Sequence, residues 1–307
     1  MFLQLNNISI GYESPIVQGI SSQLDLGEVC LLIGNNGVGK TTLIKSILNQ
    51  IPLLEGQILV NEKNTSSLSV KQIAHLISIV FSKSDIPIHY TIKDLVSLGK
   101  YIHYPYYFEL SKKDLQEVQN IINQLDINQY ENLQLRQLSD GNLQKAFIGR
   151  ALAQNTPIII LDEPTTHLDE SNKIAILKLL REIAKKENKI ILFSSHDWRL
   201  AKEFADKIWY IKDKQFYSGI TEDVLLAHPE LTQPHLFNID NRFQPPHIIA
   251  PDLHKEMLFS VLQKNFKKNL SKTKISYNNN IWEISMGENQ EKAQSFEEII
   301  RILKNIH

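Results

Sequence analysis

The segment Gly34-Asn-Asn-Gly-Val-Gly-Lys40-Thr41 constrains this chain more than any other stretch of it. It satisfies G-x-x-x-x-G-K-[ST] at every fixed position, follows the apolar run Val29–Ile33 and opens a helix expected over Lys40–Gln50. Glycine permits backbone angles that turn successive N–H groups toward one point, and such a turn wraps a chain of phosphates. The N-terminus of the following helix adds partial positive charge. Of the 12 glycines in 307 residues, Gly34, Gly37 and Gly39 fall within six consecutive positions, so the cluster marks a local backbone requirement. The expected phosphate cradle comprises Gly34, Asn35, Asn36, Gly37, Val38 and Gly39, with Lys40 reaching the terminal phosphates. Thr41 then offers its hydroxyl to Mg²⁺, and Thr42 lies in the same first helical turn.

Around this loop the chain alternates strands and helices. Leu3–Ile10, Ile16–Leu26, Val29–Ile33, Gln57–Val60 and Ser78–Ser82 read as strands. A largely helical stretch runs from about Thr91 to Gln154. Its clearest member is Ser111–Asp126, with apolar residues at helical spacing and a Ser111/Asp114 start signal. Alternation then returns: Pro157–Leu161, Lys189–Ser194 and Lys207–Ile211 as strands, Glu170–Lys186 and Trp198–Ala205 as helices. Apolar runs without period-two alternation suit a parallel sheet covered on both faces. The prolines Pro245, Pro246 and Pro251 mark residues 239–251 as a linker. A helix over Asp252–Phe266, two short strands joined by Asn278–Asn280, and a helix over Phe296–Asn305 follow.

Composition removes several classes. No apolar run approaches the roughly 18 residues needed to span a bilayer, and no secretion signal opens the chain. The single cysteine, Cys30, lies in an apolar strand and reads as a core thiol, without a disulfide framework or a cysteine-built metal site. A net charge of −1 provides no global field toward nucleic acid or anionic lipid, and no nucleic-acid partner is expected.

Further chemistry gathers at strand ends. Pro157–Leu161 is followed by Asp162-Glu163, which places two carboxylates at the ligand-binding edge of a parallel sheet. Adjacent acids at a strand end are ordinarily a solvated turn; after the phosphate loop, Asp162 is read as holding Mg²⁺ through water and Glu163 as a general base for an attacking water. Leu138-Ser-Asp-Gly-Asn142 opens a helix that runs on through Gly149-Arg-Ala-Leu152.

With these segments in this order, residues 1–225 resemble the ATP-binding cassette (ABC) ATPases. The resemblance implies an α/β fold: a P-loop NTPase core with an antiparallel β subdomain and an inserted helical subdomain, here about residues 87–155. It makes residues 1–238 a nucleotide-binding domain and leaves residues 252–307 as a small C-terminal α/β module. It also implies ATP and Mg²⁺ as ligands, with each ATP between two head-to-tail subunits. Ser139 and Gly141 match the phosphate-contacting positions of the family signature, while Asp140 and Asn142 depart from it. Tyr12 matches the aromatic residue that stacks on adenine, a core tyrosine being the plain alternative. Asp169, in Thr166-His-Leu-Asp169, matches the aspartate of the following loop, and His196 the histidine that senses the γ-phosphate. Ser82 stands where the family ordinarily has a metal-contacting glutamine, which points to a bridging water there.

Leu98-Gly-Lys-Tyr-Ile-His-Tyr-Pro105 and His196-Asp197 with Leu200-Ala201 are similar to the importers of iron–siderophore complexes, haem and cobalamin. That subfamily implies integral-membrane permease subunits contacting the chain near Ser82–Pro105, and a periplasmic or lipoprotein substrate-binding protein acting indirectly. It places the chain in the cytoplasm, peripheral on the inner face of the plasma membrane. Non-transport relatives are the alternative. DNA-repair types carry a long coiled coil, translation types two phosphate loops, and regulatory modules lose the base or the histidine; none of these features is present.

Overall fold

The computed structural model describes residues 1–82, 89–104, 109–196, 199, 202–231, 243–266, 269–287 and 289–306. The chain divides into two compact units, Met1–Ala227 and His228–His307.

The first unit begins with β1 (Leu3–Gly11), β2 (Pro15–Leu24), β3 (Val29–Ile33), α1 (Lys40–Ile47), β4 (Glu55–Val60) and β5 (Lys63–Asn64). It continues through α2 (Val70–Leu76), β6 (Ile77–Val80), α3 (Ile92–Leu98), α4 (Lys112–Gln124), α5 (Asp140–Ala153) and β7 (Ile158–Leu161). The remainder is α6 (Glu170–Glu187), β8 (Ile190–Ser195), β9 (Lys207–Lys212), β10 (Gln215–Ile220) and α7 (Thr221–Ala227). One sheet is antiparallel, in the order β2-β1-β4-β5. The other has six strands in the order β10-β9-β3-β8-β7-β6, all parallel except the β9–β10 hairpin.

The sequence explains this division. β3, β7 and β8 are buried along their whole length and carry unbroken apolar runs, because helices and the second sheet cover both of their faces. Leu3, Ile8 and Ile10 of the antiparallel sheet share one core with Leu32, Ile44, Ile160 and Leu192. Cys30 is fully buried there, and desolvation pushes its thiol well above the ordinary value. Hairpins turn at Asn61-Glu62 and Asp213-Lys214, where both central residues take positive φ as a type I′ turn requires. In the helical region α3 and α4 pack on α5 at Gly149. A Cβ there would meet Val96 Cγ2 and Leu125 Cδ1 at 2.9 Å each, so a side chain at this position would have to displace both.

Most expected elements occur within two or three residues of their expected bounds. Four elements of this unit were not anticipated: β5, α2, which Ser69 and Gln72 start with a reciprocal capping box, β10 and α7. Of the helix expected over Trp198–Ala205, the described part holds a 3₁₀ turn at Lys202–Phe204; Trp198, Leu200 and Ala201 lie outside the described residues.

The second unit contains β11 (His247–Ile249), α8 (Asp252–Asn265), β12 (Lys274–Asn278), β13 (Ile281–Met286), β14 (Asn289–Ala293) and α9 (Phe296–Ile306). Its sheet order is β11-β12-β13-β14. Phe243, Leu258, Leu262, Ile275, Trp282, Ile299 and Leu303 form a core of its own. The stretch read as a linker is therefore corrected from residue 243 onward. Phe243 is buried, and β11 pairs in parallel with β12 from His247 to Ile249. The prolines fit because, among the described residues, β11 is the edge strand of its sheet, and because Pro251 stands at the N-cap of α8.

Candidate active site

Parallel registry brings four loops to one edge of the six-stranded sheet. Ile33 at the end of β3 pairs with Ser195 on β8, Leu161 at the end of β7 with Phe193, and Val80 at the end of β6 with Leu161. The phosphate loop, the carboxylates, His196 and Ser82 follow these ends, on the side where open parallel sheets bind ligands.

The loop from Gly34 to Gly39 has the geometry its glycines imply. Gly34 takes φ 152°, and a Cβ on it would stand 2.6 Å from the Ile211 carbonyl oxygen. Gly37 takes φ 82° beside open space. Gly39, at φ 113°, is the N-cap of α1, which has no side-chain cap and no acid in its first turn. By contrast α2, α3, α4, α5 and α6 each start under a capping side chain: Ser69, Thr91, Ser111, Ser139 and Asp169. The open N–H groups of α1 thus face an anion's position rather than a cap. Asn35 and Asn36 are exposed, Val38 is half-buried and Thr42 is buried in α1.

Lys40 lies across the loop, donating from Nζ to the carbonyl oxygens of Gly34 at 2.7 Å and Asn35 at 3.1 Å. Burial pushes its ammonium below the usual lysine range, against the opposing pull of Glu163 and Asp162. Thr41 Oγ1 donates to Asp162 Oδ2 at 3.2 Å, and Ser194 Oγ to Asp162 Oδ1 at 2.6 Å. Ser194 Oγ in turn accepts the Glu163 N–H at 2.9 Å. Ser194 lies on β8, the strand between β3 and β7, so its hydroxyl aligns the two acids with the phosphate loop.

Glu163 takes a left-handed φ of 54° immediately after Asp162. Its Oε2 accepts from Thr166 Oγ1 at 3.1 Å and lies 3.1 Å from His196 Nδ1. Lys40, Thr41, Asp162, Glu163 and His196 are thus gathered in one constellation. Ser194 and Thr166 complete it and had not been singled out from the sequence; a serine near the end of the strand before His196 was the available signal for the first.

The other expected residues stand apart from it. Tyr12, just past β1, is 64% exposed, which removes the core-tyrosine alternative. Ser82 is exposed two residues beyond Val80, whose carbonyl accepts the Asp162 N–H at 2.8 Å. Ser139 caps α5 by accepting the Asn142 N–H, with Gly141 in the first turn of that helix. Asp169 caps α6; the Asn172 N–H and the Ser171 hydroxyl hold its carboxyl below the usual range. Among the described residues, no hydrogen bond joins Tyr12, Ser82, Ser139, Gly141 or Asp169 to Lys40, Thr41, Asp162 or Glu163.

An uncapped helix N-terminus, a glycine cradle that side chains would fill, and oxygen donors from Thr41 and Asp162 fit a phosphate chain with a hard cation such as Mg²⁺. Fold and site together define a P-loop nucleoside triphosphatase. Residues 17–166 match the family model described as ABC transporter. The petrobactin import ATP-binding protein FpuD of Bacillus anthracis is 35% identical over 225 residues, covering 73% of this chain and 82% of that protein. The achromobactin transport ATP-binding protein CbrD of Dickeya dadantii is 33% identical, covering 78% and 88%. The structure of cbiO1 from Clostridium perfringens, part of the ABC transporter complex cbiONQ, superposes with a TM-score of 0.67 at 25% identity, covering 75% and 92%. The chain belongs to the ABC transporter family, as an ATP-binding subunit with ATPase activity.

Proposed function

We propose that this chain powers import of an iron–siderophore chelate, haem or cobalamin, hydrolysing ATP bound between two head-to-tail copies beneath a membrane permease. The line of contacts from Thr41 through Asp162, Ser194 and Glu163 to His196 carries this reading. It links a cation ligand, a base and a γ-phosphate sensor in a continuous array. The names of the petrobactin and achromobactin relatives support the cargo class.

Lys40 and the loop N–H groups orient the phosphates, and Tyr12 offers an exposed ring for adenine to stack on. Thr41 and Asp162 would hold Mg²⁺, which would supply charge neutralisation at the phosphate oxygens when bound. Glu163 accepts a proton from the attacking water, its carboxylate aimed by Thr166 and His196. A water bridges from Ser82, whose side chain is too short to replace a glutamine. Ser139 and Gly141 contact the partner copy's ATP, which accounts for their separation from the phosphate loop of their own chain. The permease docks near Ser82–Pro105, of which residues 83–88 and 105 lie outside the described residues. No helix among the described residues is long and apolar enough to cross a membrane; the chain works from the cytoplasmic face, bound to that permease.

Glu163→Gln tests the reading, because it keeps the side chain's size and removes the base. ATP binding is retained, turnover falls by roughly 10²- to 10⁴-fold, and the ATP-bound pair accumulates on size exclusion. A variant that hydrolyses ATP at the parental rate, or never pairs, overturns the proposal.

A further inference from the structure

Asn172, in the first turn of α6, ties together two segments assigned to different nucleotides. Its backbone N–H donates to Asp169 Oδ1 at 2.8 Å, an ordinary N-cap contact. Its side-chain Nδ2 donates to Asp169 Oδ2 at 2.9 Å, which capping does not require and which fixes the carboxamide plane. That carboxamide lies against Gly141 on α5. A Cβ added to Gly141 would stand 2.8 Å from Asn172 Oδ1 and 3.0 Å from its Cγ. Gly141 is helical and lies outside the left-handed region, so its missing side chain serves close approach, and Asn172 fills the space.

The loop before Asp169 is anchored at its other end to the catalytic carboxylate. Thr166 donates from Oγ1 to Glu163 Oε2 at 3.1 Å and from its N–H to the Glu163 carbonyl at 3.2 Å. Thr166 is thus bonded to Glu163 and Asn172 to Asp169, the backbone from Thr166 to Asp169 joins the two pairs, and Asn172 touches Gly141 across the helices. In the two-copy site proposed above, Glu163 serves the chain's own γ-phosphate and Gly141 belongs to the segment that serves the partner's.

We propose that Asn172 is a positioning residue: it locks Ser139–Gly141 to the loop that carries Glu163, so that the state of one ATP site sets the contacts offered to the other. The proposal rests on the two-copy site described above. Asn172 is half-buried, outside the hydrophobic core, and Asn172→Ala keeps the backbone cap on Asp169 while losing the Nδ2 bond and the contact with Gly141. Asn172→Asp keeps the shape but sets a carboxylate against Asp169.

The experiment compares full-length chains carrying Glu163→Gln alone, with Asn172→Ala, and with Asn172→Asp, and reads ATP-driven association by analytical ultracentrifugation. In chains with Glu163 intact, the Hill coefficient of ATP hydrolysis is measured as well. Expected are an ATP affinity of the isolated chain within about twofold of the parent and association weakened about tenfold by Asn172→Ala, more by Asn172→Asp. The Hill coefficient falls toward 1, and kcat drops with KM little changed. If Asn172→Ala lowers the melting temperature, Asn172→Asp, which preserves packing volume, decides. Association and Hill coefficient equal to the parent's in both variants overturn the role of Asn172 and leave the two-copy site standing. Failure of Glu163→Gln alone to associate overturns the two-copy site itself.

Discussion

Lys40 is a buried cation whose described bonds go to two carbonyl oxygens of its own loop. Burial lowers its pKa, which means the charged form is less favourable in the folded chain than in the unfolded one. The charge is therefore retained for phosphate and does not stabilise the fold. Lys40→Met is expected to weaken ATP binding roughly 100-fold, the worth of a hydrogen bond from a charged donor, without lowering the apo melting temperature. Calorimetry with and without ATP checks this; a strongly destabilised apo protein contradicts it. At the residue scale the motif positions were legible because phosphate chemistry demands particular residue types at fixed spacing within a contiguous segment. Gly34–Thr41, Asp162-Glu163 and His196 all answer to that demand. Ser194, Thr166 and Asn172 were not legible, since each acts through a partner that only folding brings near.

Between elements, Asp206 joins the starts of β3 and β9 to the side of α6. It accepts the Val29 N–H at 2.9 Å, Arg181 at 3.1 Å and Lys185 at 3.0 Å. Burial pushes its carboxyl up, but the Val29 N–H with Lys185 and Arg181 outweighs that and holds it below the usual range. A depressed carboxylate contributes stability that is fully present above its unfolded pKa of about 3.9 and is lost as pH falls through the lower folded value. Asp206→Asn is accordingly expected to cost about 1–2 kcal/mol at pH 7 and progressively less below pH 4. Urea unfolding of parent and variant across pH measures the gap; a gap independent of pH sinks the argument. Elements with strong local signals were readable from the chain, as Ser111 before α4 and the apolar runs of β3, β7 and β8 illustrate. α2 carried a readable Ser69/Gln72 signal that was missed. β10, with its one-sided pairing and exposed face, carried little beyond the Asp213-Lys214 turn.

The two units each have a hydrophobic core, one shared by two sheets and their helices, the other under a four-stranded sheet. A chain ending at Ala227 is expected to unfold cooperatively and bind ATP as the parent does, because every residue assigned to ATP lies before that point. Scanning calorimetry with nucleotide titration checks this, and loss of ATP binding on truncation contradicts it. The sequence alone determined that a phosphate chain is held at the end of a buried strand, that two carboxylates follow one strand and a histidine another, and that the chain resembles the ABC ATPases. These properties are local, written in contiguous residues whose backbone angles and charges do not depend on distant neighbours. Tertiary structure decided where the second unit begins, because the prolines expected to separate it border a strand that pairs with β12, some 25 residues ahead. It also decided that Ser194 aligns both acids and that Asn172 fills the space above Gly141. These contacts depend on strand order and helix approach, which join residues too far apart in the chain for any local pattern to record.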